Sequence, residues 1–94
     1  MATTVHHVRR EDFDVYIGRA NGRYGLRASK WANPFVVGKD GTREEVIEKY
    51  RSALLASPDL LERGPRLRGL RLGCWCVPMA CHGTVLAELA DATL

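Results

Sequence analysis

Apolar and polar positions alternate over two short stretches near the start of the chain. Thr3 to Arg10 and Phe13 to Gly18 both read as strands. In the second, Phe13, Val15 and Ile17 are spaced two apart, and Gly18 closes the run. From Arg19 to Asp40 no period persists. Asn21-Gly22 and Asn33-Pro34 are turn signals, punctuated further by Gly25, Gly38 and Gly41. Structureless segments beyond ~12–15 residues are uncommon in compact domains and are often functional. A short hairpin around Tyr24–Leu26 and Phe35–Val37 is the plainer alternative.

The pattern then changes to a helical one. Thr42 followed by Glu45 predicts a capping box, in which hydroxyl and carboxylate each satisfy a backbone N–H of the other residue. Val46, Ile47, Tyr50 and Leu54 form one apolar stripe, and Ser57-Pro58 ends it. The same pair starts a short second helix with proline in its first turn, which Gly64-Pro65 stops. Leu70 to Cys76 returns to a period of two, with Leu70, Leu72, Cys74 and Cys76 on one face. A last helix is expected from near His82 to about Ala92, burying Val85, Leu86 and Leu89.

The predicted order is β-β-α-α-β-α, a small single α/β domain over residues 1–94. Its expected form is a mixed sheet with a parallel βαβ crossover and helices packed on it. In open α/β sheets, sites form at the carboxyl ends of strands beside helix N-termini. One such end feeds the loop at Gly18-Arg19; another feeds the turn from Cys76 through Pro78 to His82. Parallel strands bring the two stretches to one edge.

Composition narrows the class. Hydrophobic residues at 46% and charged residues at 27% exclude a disordered tail, a collagen-like fibre and a coiled coil. The longest stretch free of acidic and basic side chains, Leu72 to Ala87, carries Gly, Pro, His and Cys and falls short of the roughly 18 apolar residues of a membrane span. The N-terminus lacks an apolar signal core, so the protein is expected in the cytoplasm, or the host cell cytoplasm if phage-encoded. The net charge of +3 matters less than its placement. Arg19, Arg23, Arg27, Lys30 and Lys39 fall in a run with no Asp or Glu, a field that favours an anionic partner unless it is only a solvated basic loop.

All three cysteines fall within nine residues of a histidine, as Cys74-Trp75-Cys76 and then Cys81-His82. In a cytosolic chain such clustering points to a metal or a reactive thiol before a disulfide. Cys74, Cys76, Cys81 and His82 make up a tetrahedral zinc set, although C-x-C and adjacent Cys-His depart from the usual spacings. Cys81 at a helix N-terminus, with His82 as its acid or base, is the alternative catalytic pair. The plain reading makes Cys74 and Cys76 small buried hydrophobes and His82 a cap.

Phosphate binding is the third reading. Gly83 permits close approach to the last helix's free N–H groups; Arg19, Arg27 and Lys30 would supply charge, Asn33 a polar contact, and Trp31 a stacking face. For Trp31 and Trp75 a core role outweighs stacking, and His6 and His7 read as ordinary strand residues.

At YIGR (Tyr16–Arg19), SKWANPF (Ser29–Phe35), GTREEVIEKYR (Gly41–Arg51), LRGLRLGCWC (Leu67–Cys76) and CHGTVLAELA (Cys81–Ala90), the chain resembles domain-of-unknown-function family 4326. The resemblance covers about residues 13–91, with Ala32 and Thr84 standing where the family often has Gly and Asp. It implies a small α/β domain of phage or actinobacterial type and no established activity. The expectation is therefore a phage-type domain binding a phosphate-bearing small molecule or nucleic acid at the strand C-terminal edge, with no membrane partner. The alternatives are a structural zinc module for protein contact and a non-catalytic protein acting on a host protein through its surface.

Overall fold

The last strand in the chain lies in the middle of the sheet. The computed structural model describes residues 2–76 and 79–92, in the order β1 (Thr4–His7), β2 (Val15–Tyr16), α1 (Arg43–Leu55), α2 (Pro58–Arg63), β3 (Arg71–Cys74) and α3 (His82–Ala92). Short 3₁₀ turns at Gly22–Tyr24 and Gly64–Leu67 complete the regular structure. The strand order is β1-β3-β2, with Thr4 opposite Arg71 and Val15 opposite Leu72. Both pairings are parallel, so the mixed sheet expected from the sequence is corrected to a parallel one. With β3 in the centre the two N-terminal strands never pair, and each runs alongside β3 in its own direction.

The strands are shorter than the alternation suggests, because the chain leaves the ladder after Val8, whose amide donates to the Cys74 carbonyl, and crosses the sheet to rejoin it at Asp14, whose amide donates to the Arg71 carbonyl. Gly73 makes that crossing possible. A Cβ there would lie 2.6 Å from the Phe13 ring and 3.0 Å from Val8 Cγ1. Period-two alternation sends Leu72 and Cys74 to the opposite face, where the helices pack. The core on that side centres on Ile17, Leu54, Leu72 and Leu86. Burying each such side chain contributes roughly 1.5–3 kcal/mol.

Local chemistry sets the helices as expected. Thr42 Oγ1 accepts from the Glu45 amide at 3.2 Å, and Glu45 Oε1 accepts from the Thr42 amide at 2.9 Å. Val46, Tyr50 and Leu54 turn inward from α1, with Ile47 half-buried. Gly64-Pro65 ends α2 but opens a 3₁₀ turn, since proline's missing N–H costs nothing at a first turn. The alternative of a hairpin between Tyr24–Leu26 and Phe35–Val37 does not form; instead Asn21 bridges Leu26 around the Gly22–Tyr24 turn. At the chain's start, Thr3 Oγ1 donates to Asp91 at 2.7 Å and accepts from the Gly69 amide at 3.0 Å, tying β1 to the end of α3. No helix among the described residues is long and apolar enough to cross a membrane.

Candidate metal centre

Parallel pairing does bring the two unusual stretches to one edge. β3 ends at Cys74, so Cys76, read from the sequence as part of the strand, follows in the bend beyond it, while Cys81 immediately precedes α3. Their sulfurs lie within 4.8 Å of one another, and all three thiols are free. Val77 and Pro78, including the proline turn read from the sequence, lie outside the described residues. Cys74 and Cys81 are buried and Cys76 is half-buried. The three sulfurs could hold a metal ion.

Charge is distributed unevenly among them. Cys76 receives hydrogen bonds from the Cys74 and Cys81 thiols and lies beside the Arg43 guanidinium, so its pKa falls well below the ordinary thiol range. Its negative charge makes the next ionisation harder. The Cys81 thiol is pushed up by its bonding to Cys74 and Cys76 and by burial, and Cys74 is raised chiefly by its bond to Cys76. These shifts favour ionisation at Cys76, the most accessible of the three sulfurs, over Cys74 and Cys81. The Gly83 amide at the start of α3 does reach Cys81 Sγ, at 3.4 Å, but the competing sulfurs outweigh it.

His82 stands beside the sulfur group and outside the set of three. Its Nε2 donates to the Ile17 carbonyl at 2.8 Å, which leaves the Nδ1 lone pair facing Cys81 Sγ at 3.6 Å. Burial lowers the His82 pKa and keeps the ring neutral. Tyr50 packs edge-on against the ring, with centroids 4.8 Å apart. Its hydroxyl donates to the Trp31 carbonyl at 2.7 Å, and burial raises the phenol pKa.

The sulfurs and His82 form one wall of a cavity of about 340 Å³. Arg19 and Arg43 line it and no Asp, Glu or Lys does so among the described residues; Phe35, Val36, Val46, Ile47 and Trp75 supply apolar surface. Arg19 donates to the Asn33 carbonyl at 3.2 and 3.0 Å and to the Phe35 carbonyl at 3.1 Å, fixing the loop that forms the far wall. Asn33 shapes the same loop, donating to the Val46 carbonyl and accepting from the Phe35 amide.

Other candidates stand elsewhere. Arg27 and Lys30 are exposed and do not line the cavity. Trp31 is 5% exposed and packs in the core, which leaves no ring face open to a base. Gly83 faces the sheet, where a Cβ would come 2.9 Å from both Ile17 and Val5; its absence lets α3 sit close to the strands.

The cysteine spacing, the Arg19 loop and Asn33 now have a common setting, and the family model for the domain of unknown function DUF4326 matches residues 3–92. The chain belongs to the DUF4326 family. Similar proteins occur in viruses. An uncharacterized protein of Acanthamoeba polyphaga mimivirus is 39% identical over 89 residues, covering 84% of this chain and 68% of that protein. An uncharacterized 12.4 kDa protein from the nrdA-td intergenic region of Enterobacteria phage T4 is 36% identical over 87 residues, covering 87% of this chain and 71% of its own. No solved structure matches.

Sequence reasoning missed Arg43 in this DUF4326 site. The signal was present, since a cation in the first turn of a helix opposes the macrodipole and calls for a local reason. Here the Arg43 guanidinium donates to the Ala80 carbonyl at 3.1 Å and lies beside Cys76. Tyr16 gave no comparable signal; its hydroxyl accepts from Trp75 Nε1 at 2.8 Å and donates to the Arg19 carbonyl.

Proposed function

We propose that this chain is a zinc-binding domain that presents its metal to a phosphate-bearing ligand, a nucleotide or a nucleic acid end, in the adjoining cavity. The observation that carries the reading is the approach of the Cys74, Cys76 and Cys81 sulfurs to within 4.8 Å of one another at the cavity wall. Zinc–sulfur bonds of about 2.3 Å in a tetrahedron separate the sulfurs by about 3.8 Å, so a movement of about an ångström completes the set. Soft thiolates favour zinc over hard cations such as magnesium or calcium. Three protein ligands leave a fourth position for an exchangeable group.

The ligand's character follows from charge. A divalent ion with three thiolates carries one net negative charge, and Arg19 and Arg43 add two positive ones. With no carboxylate among the described lining residues, the surplus favours an anion. Apolar residues opposite the arginines suit a base or another flat group.

Elemental analysis of untagged protein purified without chelator tests the metal; about one zinc per chain is expected. Folded protein with no metal would overturn that half of the reading. Cobalt substitution should add a sulfur-to-metal charge-transfer band, lost in Cys76→Ser. Nucleotides should raise the melting temperature of the parent but not of Arg19→Ala or Arg43→Ala. Equal shifts in all three would overturn the phosphate-bearing ligand. A structural zinc module would hold the metal and ignore nucleotides altogether.

A further inference from the structure

Trp75 borders the cavity and also joins an aromatic ladder outside it. Its ring lies 5.2 Å from that of Tyr24, centroid to centroid, and meets His7 edge-on at 5.9 Å. Tyr24 is 42% exposed. Two guanidiniums sit over it: Arg9, from the segment after β1, at 5.6 Å from the ring centroid, and Arg23, from the Gly22–Tyr24 turn, at 5.8 Å. Two remote stretches of chain therefore place like charges on one ring.

No carboxylate answers them. Among the described residues neither Arg9 nor Arg23 forms an ion pair. Of the acids that follow Arg9, Glu11 is engaged with His6 at 3.1 Å and Asp14 with Arg71 at 3.0 Å, while Asp12 forms no ion pair with either arginine. Cation–π attraction holds each guanidinium to the tyrosine but leaves its charge uncompensated. A phosphate relieves that repulsion, and aromatic and guanidinium planes offer stacking surface to unpaired bases.

We propose that this face binds a single strand of nucleic acid, with Arg9 and Arg23 on its phosphates, Tyr24 against a base, and the strand passing Trp75 toward the cavity mouth. A duplex would satisfy the arginines but keep its base faces stacked inside, so the exposed tyrosine favours a single strand. The proposal rests on residues outside the sulfur cluster and stands whether or not zinc is found.

Anisotropy of a fluorescein-labelled oligothymidylate of about 12 nucleotides, titrated with the full-length chain, tests it. The expected result is binding that weakens from about 50 to about 200 mM salt, with a log–log slope near −0.7 for each phosphate contacted. An Arg9→Ala/Arg23→Ala variant should bind about tenfold or more weakly with a slope shallower by about 1.4. Tyr24→Ala should lose roughly fivefold or more. Arg63→Ala/Arg66→Ala removes the same charge outside the ladder and should bind like the parent. Melting temperature and metal content, unchanged across the set, separate lost binding from lost folding. No binding at the lowest salt, parent-like binding by the arginine variant, or equal competition by unlabelled duplex would overturn the proposal.

Discussion

His82 Nε2 donates to the carbonyl of Ile17 across 2.8 Å, joining the first turn of α3 to the residue that follows β2. The bond fixes the ring's tautomer, and with it the lone pair that faces Cys81. A backbone carbonyl at the end of a strand thereby orients the edge of the sulfur group. His82→Ala leaves that buried carbonyl without its donor and should cost about 1–3 kcal/mol. Chemical denaturation measures the loss, and a parent-like midpoint would show that the brace contributes nothing.

Gly73→Ala should destabilise the protein by about 1–3 kcal/mol, because the new methyl meets Phe13 and Val8 at the crossing. Phe13→Leu in the same chain should recover part of the loss. A double-mutant cycle on denaturation midpoints reads the coupling, and strict additivity would place the clash elsewhere.

Metal-free protein should be alkylated first at Cys76. That sulfur is the most accessible of the three, and its pKa is lowered by the neighbouring thiols and Arg43. Mass spectrometry after brief iodoacetamide exposure near neutral pH should find Cys74 and Cys81 protected, and Arg43→Gln should slow the labelling. First modification at Cys81 would reverse the ordering argued from the structure.

Acid should weaken the fold through two carboxylates. Asp14 is held below its ordinary pKa of 3.8 by hydrogen bonds from Arg71, and Asp91 by hydrogen bonds from Thr3. Each folded pKa is depressed, so each contribution is full above the ordinary value and is lost as pH falls through the folded one. Melting temperatures of Asp14→Asn and Asp91→Asn should lie below the parent's at neutral pH and converge with it in acid. Parallel curves would remove these groups from the acid transition.

Local rules made the helices legible. The Thr42–Glu45 box, the Val46–Tyr50–Leu54 stripe and the Ser57-Pro58 junction each involve neighbours on the chain, and each appears at its expected place. Strand pairing was less accessible, since nothing in the alternation of Val15 and Ile17 says which strand lies alongside. Only Gly73, a bare position in an apolar strand, hinted at something crossing there. Within the site, the proximity of the cysteines was readable from Cys74-Trp75-Cys76. Which sulfur bears the charge was not, because Arg43 reaches Cys76 from a helix more than thirty residues earlier. Trp31 illustrates the limit for large side chains, where the same residue type serves a core or a base and only packing decides.

The central position of β3 also dictates when the molecule can assemble. Thr4 pairs with Arg71, and among the described residues β2 has no neighbouring strand except β3. During synthesis the first two strands therefore leave the ribosome with nothing to pair with until residues 71–74 follow. Such long sequence separations slow folding and leave strand edges open meanwhile. Closure of the sheet thus waits on residues 71–74, and β1 and β2 gain their partner together when that one strand emerges.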